Sequence, residues 1–512
     1  MHHALRVSEI IHIICENSKK SSLPAMARTC RTFCPLALDT LWAELDNVLP
    51  LIKCLPPEFC AEEGGIVHWG KGVCLTEANR TRFLRYSHRV RALSWVCYPP
   101  GQNSSRNIDP KVLQIFSLLG GAKPPFPHLK CFFWSDDCDE NIPFITLFVG
   151  PSLHNLRLEF VEDLGTHHLV LLSTLGYRCP QLKSLHLEFD RGSVADDKAG
   201  VAAFSQALCG LEHLEDLQCF ELEENAWRHI LRLPSLADLE VNLTPFSLTE
   251  FLPAARVHHG TLFPNIRNIG LICAAPTAIT EFLEYMHIAP RKVEMALSSA
   301  PMGDMPGLFV ALSQHCGHRS LQHIKIWDQD GPGNTDITLE HVQALFCFGD
   351  LRTLELKWFH SFSLDDHVLS DMAISWPMLE SLHLEGAGHW RTKSKITFHG
   401  IITLVKRCPR LHHLHLEINA TKLTSSGLEE LRNATPNYTV RELHVGNSLI
   451  NDSEGVAVRL FDLFPELDRI VPWTGEGPQS ARRRRLWKKV AGHLKVFRMV
   501  REQTRWRDRR TT

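Results

Sequence analysis

Hydrophobic positions along this chain fall into one short recurring phrase. From about residue 90 onward, aliphatic residues recur as Leu-x-x-Leu-x-Leu, often with a proline two residues ahead. Clear copies are Pro151-Ser-Leu153-His-Asn-Leu156-Arg-Leu158, Pro180-Gln-Leu182-Lys-Ser-Leu185-His-Leu187, Pro234-Ser-Leu236-Ala-Asp-Leu239-Glu-Val241 and Pro264-Asn-Ile266-Arg-Asn-Ile269-Gly-Leu271. Two more open at Pro377 and Pro409. Copies without the proline begin at Leu214, Leu321, Leu351 and Val440, edge copies at Val90, Leu129 and Leu467, and a degenerate one stands near Val293. From Leu129 to Leu467 there are 338 residues in 12 steps, about 28 per step, with intervals from 22 to 32. The alternating Leu-x-Leu predicts a short strand with one buried face. Between strands the spacing turns helical, as in Leu169–Leu175 ahead of Arg178-Cys179-Pro180 and Gly400–Arg407 ahead of Cys408-Pro409. Proline ends each such helix and opens the next strand. A single unit cannot bury its apolar face, but stacked neighbours make a continuous core.

The period and phrase resemble the leucine-rich repeat, and the recurring Arg-Cys-Pro-x-Leu resembles its irregular, cysteine-containing type. The asparagine that often follows the strand in that family is mostly missing, with Asn419 an exception. The resemblance implies an α/β solenoid, a horseshoe, over residues 90–472. An ordinary α/β domain with leucine-rich strands is the alternative.

Residues 1–50 have a different texture. Ser8 is placed to cap a first helix carrying Ile10, Ile11, Ile13 and Ile14. A polar break, Asn17–Ser22, precedes a second helix with Leu23, Met26, Ala27, Cys30 and Phe33 on one face. Pro35 stops it and opens a third, with Leu38, Leu41, Trp42 and Leu45. Val7-Ser8-Glu9-Ile10-Ile11, then Leu23-Pro-Ala-Met26-Ala27-Arg-Thr-Cys30-Arg-Thr-Phe33, then Leu41-Trp42, resemble an F-box. Val7 stands where the family usually has proline. Across the linker or N-terminal cap, residues 51–89, Arg82-Phe83…Tyr86…Arg89-Val90 is similar to the stretch that joins F-box to repeats in large F-box-like families of mushroom-forming fungi. The alternative is a bare helical cap on the solenoid.

The F-box resemblance implies docking on a Skp-type adaptor, and through it a cullin–RING ubiquitin ligase, by Val7, Glu9, Ile10, Ile11, Leu23, Met26, Cys30, Phe33, Leu41 and Trp42. It implies a protein substrate held on the repeats, by a subunit that performs no chemistry but raises the effective concentration of substrate lysines. A leucine-rich-repeat scaffold without a ubiquitin role is the alternative.

In such a solenoid the strand residues between buried leucines line the concave face. One ladder runs Arg157, His186, Gln218, Glu240, Gly270, Lys325, Glu355, His383, His415, His444. Two residues on, a second runs Glu159, Glu188, Phe220, Asn242, Ile272, Trp327, Lys357, Glu385, Glu417, Gly446. Phe220, Ile272 and Trp327 are expected to stand out as an apolar patch for a protein partner. His383, His415 and His444 stack beside Glu385 and Glu417. No metal site is expected there, because a linear ladder spreads its ligands, whereas zinc needs three or four that converge.

Composition sharpens this picture. The chain has 512 residues, 44% hydrophobic and 22% charged, which argues against disorder. Its net charge of −2 hides a strong asymmetry: residues 473–512 hold 13 Lys/Arg against 3 Asp/Glu, +10 in all, leaving −12 on the rest. An amphipathic helix fits this segment, with Leu486, Val490, Leu494 and Phe497 on its apolar face. Arg482, Arg483, Arg484, Arg485, Lys488 and Lys489 form a nuclear-import candidate. A nuclear nucleic-acid-associated protein using this basic tail is a further alternative. No secretory leader or membrane span is read in the sequence, and the 16 cysteines make no C-x-x-C pair. They are read as reduced thiols of a cytoplasmic or nuclear protein, with no membrane partner. No phosphate loop, nucleophile elbow or dinucleotide fingerprint occurs, so no catalysis and no cofactor is expected. Gly331-Pro332-Gly333-Asn334 reads as a turn, and Asp136-Asp137 and Asp365-Asp366 as loop charges.

Overall fold

Alternating burial along each repeat phrase produces parallel strands that add one after another in chain order. The computed structural model describes residues 7–63, 66–70, 74–96, 107–109, 111–120, 124–136, 139–160, 165–189, 198–257, 262–298, 304–328, 337–358, 362–386, 393–421, 435–473 and 478–511. The Gly331–Asn334 turn and Asp137 lie outside them. The chain forms two compact units, Met1–Ala237 with Pro253–Val257, and Asp238–Leu252 with His258–Thr512.

The first unit starts with three helices, Ser8–Glu16, Leu23–Ala27 and Phe33–Ala43. Ile11, Cys15, Leu23 and Ala37 make their small core, with Met26, Ala27, Phe33, Leu36 and Leu41 packed against it. The boundaries differ from expectation. Val7 is the first helix's N-cap, and the Ser8 hydroxyl bonds Glu9 at 3.0 Å instead of capping. The second helix is only five residues, so Cys30 lies beyond it, and the third opens at Phe33 rather than Pro35. A proline in the first turn has no intrahelical N–H bond to lose, so Pro35 sits inside that turn at little cost.

The third helix runs into the strand Glu44–Leu45, which pairs in parallel with Ala92–Val96. The Arg-Phe…Tyr…Arg-Val stretch makes this join. Phe83 and Val90 are buried. Tyr86 packs on Trp42 with ring centroids 4.7 Å apart. Arg89 donates to the Pro35 carbonyl at 3.2 Å and pairs with Asp39. Four more parallel strands follow, Cys131–Ser135, Asn155–Phe160, Ser184–Phe189 and Asp216–Cys219. Their register aligns Leu45, Leu93, Phe132, Leu156, Leu185 and Leu217 in one buried row. Behind them the helices Thr166–Arg178 and Lys198–Leu208 pack closely. A Cβ at Gly176 would come within 2.5 Å of the Ala207 carbonyl oxygen, so only glycine allows that approach. A small separate sheet, Cys60–Glu63, Ile66–Trp69 and Asn107–Ile108, completes the described strands of this unit.

The second unit has nine parallel strands among its described residues: Asp238–Leu243, Asn268–Cys273, Lys292–Leu297, His323–Asp328, Thr353–Trp358, Ser381–Gly386, His413–His415, Glu442–Gly446 and Arg469–Pro472. Leu239, Ile269, Val293, Ile324, Leu354, Leu382, Leu414 and Leu443 align in register and are all buried. The α/β repeat pattern expected from the leucines is therefore present in both units. The degenerate copy near Val293 is a full strand. Helices precede strands as expected; Phe398–Arg407 is one.

Four of the residues that precede a proline share one structural job. Cys179, Trp376, Cys408 and Phe464 each end a helix with φ between −128 and −113° and ψ between 56 and 75°. Each N–H still bonds a carbonyl four residues back, and each side chain is fully buried. Burial pushes the Cys179 and Cys408 thiols up to about 12, so both are inert packing groups.

Three of the carboxylates read as loop charges, Asp136, Asp365 and Asp366, are structural. Asp136 is buried and accepts from Trp95 Nε1 at 2.8 Å and Asn141 Nδ2 at 2.9 Å. Asp365 caps the helix Asp366–Ser375, while Asp366 accepts from the Thr397 N–H and hydroxyl, both at 2.6 Å. The basic C-terminal segment is one helix, Pro478–Thr511. Val490 and Leu494 are buried as expected, joined by Trp487, whose Nε1 donates to the Ser448 carbonyl at 3.2 Å. Among the described residues, no helix is long and apolar enough to cross a membrane.

Candidate protein-binding faces

Two surfaces carry the residues singled out above. The first is the helix Ser8–Glu16. Ile11 and Cys15 anchor it inward, while Val7, Ile10 and Ile13 are 43%, 38% and 57% exposed. Ile11 and Leu23, expected to meet an adaptor, are instead core residues of the three-helix module, and Met26, Phe33 and Leu41 pack against that core. They shape the surface rather than form it. Ile13, absent from the expected docking set, is the most exposed of the three; its position three residues beyond Ile10 could have revealed it. Glu9 is exposed, Cys30 half-buried, and Trp42 is engaged by Tyr86.

The second surface is the solvent-facing side of the strands. In the second unit one rung row reads Glu240, Gly270, Glu294, Lys325, Glu355, His383, His415, His444. The next reads Asn242, Ile272, Ala296, Trp327, Lys357, Glu385. The ladders drawn from sequence are thus in true register, but they skipped Glu294 and Ala296. The degenerate copy near Val293, 24 residues beyond its register partner Ile269, pointed to that strand. Ile272 is 40% exposed and Trp327 half-buried, with Ala296 between them as a shallow floor.

Two expected members are corrected. Phe220 lies just past the strand Asp216–Cys219, is 3% exposed and packs on Phe204 at 5.0 Å between ring centroids. It belongs to the core because the strand ends one residue early. Glu417 lies beyond the short strand His413–His415 and is 7% exposed, its carboxylate accepting from the Asn447 N–H at 2.9 Å. Gly446, with φ +51°, lies where a Cβ would come within 2.7 Å of the Glu417 side chain.

The charged rungs pair across strands. Lys325 sits 3.5 Å from Glu294 and 3.6 Å from Glu355, and Lys357 bonds Glu355 at 2.7 Å. Burial alone would raise the Glu355 pKa, but the Lys357 hydrogen bond and the charges of Lys357, His383 and Lys325 hold it below its ordinary range. Beside this network stands a stack of imidazoles. His383 and His415 rings lie 4.1 Å apart, and His415 and His444 4.8 Å. His383 Nε2 bonds Glu385 at 2.9 Å, which lowers the Glu385 pKa, and His444 Nε2 bonds Glu442 at 2.6 Å. Burial and the neighbouring His383 push the His415 pKa down to about 3, so its ring is neutral. Its Nδ1 is buried and has no hydrogen-bond partner. The ladder does not spread its ligands here: one ligand atom from each of His383, Glu385 and His415 lies within 4.8 Å of the others.

In the C-terminal helix the basic cluster divides. Arg483 donates to the Asn447 carbonyl at 3.3 Å, while Arg482, Arg485, Lys488 and Lys489 are exposed. Arg484 is half-buried. Further along, Arg498 pairs with Asp468 at 2.6 Å and Arg501 with Glu466 at 2.8 Å, so part of the basic face is spent on the preceding repeat.

No protein-family model matches the chain, and no curated protein matches it. Among solved structures it is similar to a chain of the Rad7 and Elc1 complex in yeast, at 17% identity and a TM-score of 0.38, covering 72% of this chain and 90% of that one.

Proposed function

We propose that the protein is the substrate-recognition subunit of a Skp–cullin–F-box-type ubiquitin ligase. The observation that carries the proposal is the first helix: a three-helix module with its own core leaves Val7, Ile10 and Ile13 exposed in a segment that resembles an F-box. An exposed apolar strip on a small helical module is a docking surface for a partner. In this reading the subunit is non-catalytic and works in the cytoplasm or nucleus. Ile272, Trp327 and the charged rungs Glu240, Lys325, Glu355 and Lys357 hold the protein substrate. The exposed Arg482, Arg485, Lys488 and Lys489 serve nuclear import.

The test is co-purification with the Skp-type adaptor. Ile10→Glu with Ile13→Glu is expected to cut adaptor recovery about thirtyfold or more, the size of a lost hot spot. Both side chains are exposed, so the thermal midpoint is expected to stay within a few degrees. A wild-type chain that captures substrates but no adaptor would instead establish the scaffold reading. Trp327→Ala with Ile272→Ser should spare the adaptor and lose substrates.

A further inference from the structure

We propose that His383, Glu385 and His415 form a binding site for a first-row divalent transition ion of the zinc type. His383 and Glu385 are two apart on one strand, Ser381–Gly386, so both side chains emerge on the same face. His415 is the register partner of His383 on the next parallel strand. Strand geometry therefore delivers three donor atoms to one spot, each within 4.8 Å of the others. Tetrahedral zinc holds imidazole nitrogens at about 2.0–2.1 Å and carboxylate oxygens at about 2.0–2.2 Å. Binding would require the three donors to close from that separation onto one ion. Two nitrogens and one oxygen suit Zn²⁺, Co²⁺, Ni²⁺ or Cu²⁺ and not Ca²⁺ or Mg²⁺, which want oxygen alone. Three protein ligands leave a fourth position open to water.

Two independent observations point to a ligand. His415 Nδ1 is buried and has no hydrogen-bond partner, an arrangement that costs stability unless something is bound there. The three imidazoles His383, His415 and His444 also stand in contact, which no hydrogen bond between them explains. A bound cation would supply what the stack lacks.

The surroundings define what the ion meets. On the strand Thr353–Trp358, Glu355 lies 3.9 Å from His383 and is shared with Lys325 and Lys357. Lys357 is the register partner of Glu385, and its charge opposes the ion; its Nζ is drawn to Glu355 at 2.7 Å. On the other flank His444 is tied to Glu442, which also pairs with Arg469. His444 is thereby turned toward Glu442 and is a flanking group. His413, two residues before His415, lies beside Glu442 in register.

The test uses the full-length chain, free of any affinity tag and stripped with chelator. Titration with Zn²⁺ at neutral pH is expected to show one equivalent bound at micromolar or tighter affinity. Co²⁺ should give the visible absorption bands of a tetrahedral N/O site. Glu385→Gln, His383→Asn and His415→Asn should each weaken binding about tenfold or more. His412→Asn should leave it unchanged. A measurement on the wild-type chain guards against misfolded variants: Zn²⁺ should protect His383 and His415, but not His412, from carbethoxylation read by mass spectrometry. Absence of stoichiometric binding overturns the proposal. So does binding that persists in all three variants, or protection that falls on other histidines.

Discussion

His186 in the first unit and His415 in the second occupy the same kind of place. Each is the middle of a Leu-x-Leu phrase, with a buried leucine on either side. Their pKa values shift in opposite directions. His186 bonds Asp216 at 2.6 Å, and that hydrogen bond, working against burial, raises its pKa. His415 faces imidazoles on both neighbouring strands, and burial with the nearby His383 drives it to about 3. Sequence position decides that both side chains point outward. Cross-strand neighbours decide which way the pKa of the ring moves. The neighbouring charged rungs of the first unit are paired as well: Arg157 reaches Glu159 and Glu188, both at 2.9 Å. The second unit's face instead carries an imidazole stack whose central ring, His415, is neutral.

The largest expected effect tests what the two places share. Leu185→Ala and Leu414→Ala, next to each histidine and fully buried, should each cost about 2–5 kcal/mol, measured by denaturant melts. Equal losses would show that the buried rows are alike and only the outer rows differ.

Proton linkage separates them. His186 is raised above its ordinary 6.5, so its stabilisation is complete below that value and fades as pH rises through the folded pKa. His415 is lowered to about 3, so its contribution is complete above 6.5 and falls as pH drops from there toward 3. Histidine ring resonances should show His186 titrating above 6.5 and His415 silent to below pH 5. Coincident titration of the two would remove the contrast. The smallest effect should come from the neighbours themselves. Asp216→Asn should lower the His186 pKa, and His383→Asn should raise that of His415, each with little change in the melt because both neighbours are partly exposed.

Much of this was legible in the leucines. Their phrase located nearly every strand of both units, and their spacing placed Glu240, Lys325, Glu355, His383 and His415 on one row. The misreadings share a cause. Phe220 and Glu417 follow strands that stop early, so alternation no longer sets their side. Ile11 and Leu23 match a docking motif, but a module this small must spend such residues on its own core. Asp136 and Asp366 read as loop charges because a buried carboxylate is recognisable only from the donors around it.

The sequence by itself determined the repeat, the parallel α/β strands and the charge asymmetry, because burial alternates with period two along a strand and each repeat needs a neighbour to cover it. Tertiary structure alone decided which groups meet across strands. His383, Glu385 and His415 are separated by up to 32 residues in the chain but by less than 4.8 Å between donor atoms. That closeness depends on the register of two strands, which no single repeat contains.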